Sequence, residues 1–325
     1  MTDPDDTVTA SQSVILRRDV IRQGNSDAAI RRAVRDHAIE RVWWGSYVRV
    51  TGSDSGSIDA RAQRYREMIE AAVRTGTSRR HLSHQSAAMM LGIPLLQADM
   101  STVHFVSGST GRSSPGLVIH HVRLRPDDLV EVDRIAMTSI GRTVCDVARM
   151  GTFQQAVCAL DSGLFQARSR GVVINLEAVV AAMGRLHGMP MLRAALPHAT
   201  AASASIGESL SRAHIIEDAR LPLPELQVEV VLADGSVKWC DFGWRDSEGR
   251  LRVVGEFDGR VKYHRQSAAS GHRLAEDVIY AEKLREDAIR DCDVIVVRWT
   301  WADLMRPAAF IRKLEVALRR ARLID

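Results

Sequence analysis

Three acidic side chains and an amine in the stretch Lys238–His264, KWCDFGWRDSEGRLRVVGEFDGRVKYH, have the types and spacing for metal-assisted chemistry on a phosphate. Two aromatic or β-branched runs, 239–244 and 251–256, flank the polar, Gly-bearing turn Asp246–Gly249, the usual signal for a β-hairpin. Asp241 precedes Glu256 by fifteen residues, so the hairpin brings their carboxylates together across the strand pair. Strand alternation then points Glu256 and Asp258 to one face. Such oxygens suit Mg²⁺ (or Mn²⁺), which binds through one or two carboxylates with phosphate and water completing the shell. Lys262, four residues beyond Asp258, is placed to orient or deprotonate an attacking water, or to steady the charge that develops on phosphate. The simpler alternative is a surface hairpin whose Asp258-Gly259 makes a turn. Against it, Glu256 follows the apolar residues Leu251, Val253 and Val254, and an acid at a core edge needs a partner.

These residues require elements to hold them. Ser205-Ile206-Gly207-Glu208 opens a helix expected to run to about Ala219, closed by Pro222 and Pro224. Glu208 in its first turn complements the helix dipole and is also a candidate fourth acid of the site. A strand over 226–232 leads into the hairpin, an amphipathic helix follows over 278–290, and the apolar run 294–299 reads as a buried strand. Lys283, Arg285 and Arg290 on that helix are candidate phosphate contacts. Ordinary charge pairs, Glu282 with Glu286 or Lys283 with Asp287, are the competing reading.

The pattern Asp241…Glu256, with upstream Glu208 and the order helix, three strands, helix, strand, resembles the PD-(D/E)xK nuclease superfamily. The phrase "DFGW…VVGEFDGRVKYH" is most similar to the branch related to very-short-patch repair endonucleases. That resemblance implies a catalytic set of Asp241, Glu256, Asp258, Lys262 and Glu208, with the metal on Asp241, Glu256 and Asp258. The position two after the central acid holds Asp258 rather than lysine, and Lys262 takes the basic role, a departure that branch shares.

The N-terminal segment has a different character. Val20 and Ile21, then Ala29, Ile30, Ala33 and Val34, recur at helical spacing around the turn Gly24-Asn25-Ser26-Asp27, with Ser26 or Asp27 as helix cap. Residues 40–50 alternate as a hairpin would. Eight arginines stand against four acids between residues 11 and 50, and Arg31, Arg32 and Arg35 share the second helix, a face fit for a major groove. The alternative is a small helical scaffold with solvated arginines. The segment resembles the winged-helix head of AbiEi-type antitoxins, whose wing ends in a phrase like Arg41 to Val48. "LSHQSAA" and "TSIGRTVCDVA" are similar to that family's central region, so this likeness spans roughly residues 12–165. The resemblance implies DNA binding and a cognate toxin as a second partner; the candidate DNA contacts are Arg31, Arg32, Arg35 and Arg41, with Lys283 from the back of the chain.

Between these ends, a helix is expected around 61–74, strands at 102–106 and 117–122, and a helix opening at 137–148. His81 with His84, and His120 with His121, have ligand-like spacing, but no acid or cysteine cluster completes either set, so no metal is expected there. Composition bounds the rest. The 325 residues carry 44 basic and 40 acidic groups for a net charge of +4, with 46% hydrophobic content. Only Lys238, Lys262, Lys283 and Lys313 among the basic residues are lysines. The cysteines Cys145, Cys158, Cys240 and Cys292 form no C-x-x-C pair, which argues against a zinc site or disulfide framework. No apolar run reaches membrane-span length and MTDPDDTVTA is no signal peptide, so a cytoplasmic protein without membrane association is expected.

The expected fold class is therefore α/β (α+β overall). Residues 1–50 are read as a winged helix-turn-helix, 58–198 as a central mixed α/β module and 205–325 as a restriction-endonuclease-like αβββαβ core. The expected function is Mg²⁺-dependent DNA endonuclease; the alternative is a non-catalytic antitoxin-like repressor carrying a degenerate nuclease fold.

Overall fold

A computed structural model describes residues 14–50, 57–76, 80–232, 234–259 and 292–325. Helices and strands are mixed throughout, with three sheets among the described residues. The chain divides into two compact units, residues 1–93 with 97–146, and residues 94–96 with 147–325. No described helix is long and apolar enough to cross a membrane.

The first unit begins with β1 (Val14–Leu16), α1 (Arg17–Arg22) and α2 (Asp27–Arg35), then the hairpin β2 (Ile39–Trp43) and β3 (Ser46–Arg49). Ser26 caps α2 by accepting the Ala29 N–H at 3.3 Å, as its position before the apolar repeat requires. Arg17 grips Asp27 through two hydrogen bonds of 2.7 and 2.6 Å, tying the start of α1 to the first turn of α2. β1 pairs antiparallel with β3, so the sheet order is β1-β3-β2. Val14, Leu16, Val42 and Val48 form its small apolar core, joined by Ala71 of α3 (Ile58–Thr75).

A six-stranded sheet follows: β4 (His81–Leu82), then α4 (His84–Met90), β5 (Val103–Ser107), β6 (Arg112–Ser114), β7 (Leu117–His121), β8 (Leu129–Val132) and β9 (Ile135–Thr138), in the order β6-β7-β5-β4-β9-β8. α5 (Ile140–Ala148) continues from β9. The helix expected to open at Met137 thus starts three residues later, because Met137 and Thr138 belong to a strand. The β8–β9 hairpin escapes sequence reading for a physical reason. Its two-residue turn, Asp133-Arg134, has both residues left-handed (φ 51° and 63°), a conformation usually advertised by Asn-Gly or Asp-Gly.

In the second unit α6 (Phe153–Ser169), α7 (Leu176–Met183) and α8 (Met189–Ala195) precede α9 (Ile206–Asp218). The buried Asp161 of α6 accepts two hydrogen bonds from Arg212 of α9, at 2.8 and 2.7 Å, and one from the Thr200 N–H at 2.9 Å. Residues 147–198 therefore share a unit with 205–325. The sheet has the order β10 (Glu225–Val231), β11 (Val237–Arg245), β12 (Leu251–Asp258), β13 (Ile295–Thr300). The first three strands are antiparallel; β12 and β13 are parallel, which requires a crossover connection. The helix expected over 278–290, with Lys283, Arg285 and Arg290, lies outside the described residues, as does Lys262. α10 (Trp301–Leu304) and α11 (Pro307–Arg320) close the chain.

One face of the sheet carries Phe242, Trp244, Val253, Val297 and Trp299 against Leu210 of α9 and Phe310 and Leu314 of α11. The other face carries Val228, Val230, Cys240 and Val254. Helix α9 sits unusually near the sheet. A Cβ at Gly207 would lie 1.9 Å from Cε1 of Phe257, a ring that also meets Trp301 edge-on at 5.3 Å and so has little room to yield. Gly207→Ala is accordingly expected to cost about 1–3 kcal/mol by overpacking. Thermal unfolding checks this, and Phe257→Leu in the same chain should recover part of the loss.

Candidate functional site

The hairpin register sets the geometry of the acids. Phe242 faces Gly255 at the end of the antiparallel β11–β12 ladder, so Asp241 and Glu256 each lie one residue beyond the last paired position. Phe242 and Trp244 belong to one apolar cluster and Cys240 to the other, so β11 changes face around Asp241. Gln227, at the matching position of β10, has φ 52°. The Asp241 carboxylate takes up the slack by accepting the Phe257 N–H at 2.8 Å, a side chain standing in for a strand carbonyl.

Glu256 is 9% exposed, and its Oε2 lies 2.7 Å from Nη2 of Arg298. The parallel register places these two residues directly opposite on β12 and β13. Arg298 was not among the expected site residues. The available signal was a single charge inside the otherwise apolar run 294–299. Asp258 ends β12 opposite Thr300 and is half-buried.

Glu208 lies in the first turn of α9 and performs the local role that its position allows. Its Oε2 accepts the Ala204 N–H at 2.9 Å and Oε1 accepts the Ser205 hydroxyl at 2.7 Å, while Ser205 Oγ accepts the Glu208 N–H at 3.2 Å. Ser205 thus caps the helix, while Glu208 reaches back to the Ser205 hydroxyl and the Ala204 N–H rather than to the Ser205 N–H of a capping box. Gln227 Nε2 adds a long contact at 3.4 Å. Burial pushes the Glu208 carboxyl up from its ordinary value, the Ala204 and Ser205 hydrogen bonds oppose the rise, and the nearby Asp241 charge adds to it. The helical acid and the first strand acid therefore sense one another.

A groove of about 510 Å³ opens beside this cap, lined by Phe165, Arg168, Ala204, Gln227 and Trp239. Trp239 is 54% exposed. An aromatic face beside a cationic rim suits a stacked base and its phosphate.

The structure thus draws Glu208 and Asp241 within electrostatic reach of one another, while Glu256 on the neighbouring strand is paired with Arg298. The ligand atoms of Asp241, Glu256 and Asp258 do not all come within 4.8 Å of one another; among the described residues the one group that does so is His84, His104 and His120. His84 and His120 had been read from spacing as unsupported pairs with His81 and His121. Their true companion is His104, which no local spacing flagged. In the first unit Arg31, Arg32 and Arg35 are exposed along α2, and Arg41 is exposed on β2 with its Nε 3.3 Å from the Trp43 carbonyl.

The raised Glu208 pKa has a definite consequence. The folded chain holds this proton to higher pH than the unfolded chain, so the stability it contributes at low pH is lost as pH rises above the ordinary value of 4.5 and through the elevated one. In chelator-containing buffer, the melting temperature of Glu208→Gln minus that of wild type should become more positive between pH 4.5 and pH 8. A difference that stays constant across that range would contradict the elevated pKa.

Comparison with known proteins leaves the family open. No protein-family model matches the chain, and no curated protein matches it. Among solved structures it is similar to the Rv2827c protein from Mycobacterium tuberculosis, at 15% identity and a TM-score of 0.37, over 56% of this chain and 72% of that one.

Proposed function

We propose that this chain is a metal-dependent DNA endonuclease with its own DNA-binding head. The observation that carries the reading is the closeness of Glu208 on α9 to Asp241 on β11, with Glu256 on the adjoining strand β12. In the proposed assignment, the second unit is a PD-(D/E)xK-like core, and α1, α2 and the β2–β3 hairpin form a winged helix-turn-helix.

The donor set fits a hard ion. Mg²⁺ needs only one or two carboxylates and keeps several waters, so a tight triple of acids is not required. Asp241 and Glu256 would hold Mg²⁺ or Mn²⁺, with Asp258 and Glu208 beside them. When bound, the ion supplies Lewis-acid stabilisation of the phosphate. The chain's own residues position the substrate: Arg298 sets a guanidinium beside Glu256, and the Trp239–Arg168 groove receives the strand. Lys262 keeps the water-orienting or charge-steadying role that the resemblance implies. Exposed Arg31, Arg32 and Arg35 on α2, with Arg41, give the head its phosphate and base contacts.

A second reading is favoured by a specific observation. Glu208 is engaged in capping α9 and Glu256 in an ion pair, so each acid has a structural partner without any metal. On that reading the chain is an AbiEi-like antitoxin or repressor, with a toxin as partner and the acids an inherited scaffold. Fold-level likeness by itself does not decide between them.

Incubation of supercoiled plasmid and single-stranded DNA with Mg²⁺ or Mn²⁺ separates the two. Cleavage by wild type, lost by about a hundredfold or more in Glu256→Gln and Asp241→Asn while DNA binding persists, is the expected result. No cleavage by wild type, with a salt-sensitive shift of duplex DNA, would sink the nuclease reading in favour of the repressor. Arg31→Ala with Arg32→Ala should weaken the duplex shift and lower its salt dependence in either case.

A further inference from the structure

His84, His104 and His120 come from three separate places in the first unit. His104 and His120 lie on the parallel neighbours β5 and β7, where His104 faces Val118 and His120 faces Val106. The two histidines are thus diagonal neighbours on one face of the sheet. His104 Nδ1 and His120 Nε2 are 3.1 Å apart. His84 is the first residue of α4, directly after β4, and its ring stacks on His120 with centroids 3.9 Å apart and on the His104 side at 5.6 Å. One nitrogen from each ring falls within 4.8 Å of the other two. The cluster is enclosed: His84 is 2% exposed, His104 8%, and His120 half-buried at the open side.

The rings already have polar neighbours: His84 Nδ1 lies 3.0 Å from Ser83 Oγ, and His104 Nδ1 is hydrogen-bonded to His120 Nε2. Several surrounding features serve a cation. His84 Nε2 lies 4.0 Å from the buried Asp146, whose other oxygen accepts the Arg142 Nε–H at 2.8 Å; a carboxylate behind a ligand histidine is a common outer partner of a bound metal. His84 adopts φ 51°, a left-handed conformation that costs a non-glycine residue energy and is tolerated where the surroundings enforce it. The sheet beneath is rigidly tied: Ser86 Oγ accepts the His104 N–H at 2.8 Å and bonds the Tyr65 hydroxyl at 2.7 Å.

We propose that His84, His104 and His120 form a three-imidazole site for a divalent transition-metal ion of the Zn²⁺ class. Imidazole nitrogens select zinc and its neighbours over the hard ions that carboxylates prefer. The two ring nitrogens, hydrogen-bonded at 3.1 Å, are slightly closer than the roughly 3.3–3.4 Å between corners of a tetrahedron with Zn–N bonds of about 2.0–2.1 Å, so a small parting of the rings admits an ion. Three protein ligands leave a fourth position on the His120 side for water or an added ligand. The site is independent of the acid cluster in both residues and ligand chemistry.

The test uses the full chain, stripped with a chelator and titrated with Co²⁺ alone, then with Zn²⁺ in competition. One Co²⁺ per chain with the visible absorption of a tetrahedral site, displaced by one equivalent of Zn²⁺, is the expected result. His120→Gln, the mildest change because that ring is half-buried, should lower affinity at least about tenfold and remove the absorption. Excess Mg²⁺, which prefers carboxylate oxygens, should leave the Co²⁺ absorption unchanged, which separates this site from the acids. A second measurement needs no variant: Zn²⁺ should raise the melting temperature of stripped wild type. Absence of binding and of a melting shift in wild type, or Co²⁺ binding equal in wild type, His120→Gln and His104→Gln, would overturn the proposal.

Discussion

The second unit depends on how closely α9 can approach its sheet. Gly207 lets the helix lie directly on Phe257, where no side chain could be fitted, and Ser211 one turn later accepts the Trp299 indole N–H at 2.7 Å. Trp299 is fully buried, so that hydrogen bond satisfies a donor which would otherwise be stranded in the core. From the other side the Asp161–Arg212 pair locks α9 to α6. Burial raises the Asp161 pKa while Arg212 opposes the rise, so the aspartate is held between two comparable effects. Removing either partner would leave an uncompensated buried charge, which typically costs about 3–5 kcal/mol. With α9 held on both sides, Glu208 has no freedom to choose its neighbours.

That constraint explains why the acids have two kinds of partner at once. Glu208 closes the helix cap, Asp241 mends the strand ladder through the Phe257 N–H, and Glu256 faces Arg298. Each bond holds an oxygen in a fixed place and stabilises the fold.

The first unit solves a similar problem with a different chemistry. Arg142 is 2% exposed yet reaches both Asp146 and Asp128, and Asp128 is held in turn by Arg125 at 3.0 Å. These charges form a connected network at the β9–α5 junction, so none is buried alone. Its far end, Asp146, faces His84. The ionic network and the histidine cluster share that carboxylate, which couples the position of α5 to that of α4.

Much of this was legible in residues near one another along the chain. The hairpin was announced by Asp246–Gly249, the α9 cap by Ser205-x-x-Glu208, and α2 by Ser26 before an apolar repeat, because turns and caps are settled within a few bonds. Tertiary structure alone decided the rest. Arg298 reaches Glu256 only through the parallel pairing of β13 with β12, forty-two residues away. His84, His104 and His120 meet only because β5 takes β4 on one side and β7 on the other, while His81 and His121, equally well spaced on paper, fall elsewhere. Sequence spacing measures proximity along a strand or helix. Which strands become neighbours is set by long-range pairing, whose loop-closure cost and packing gain leave no mark on the residues between.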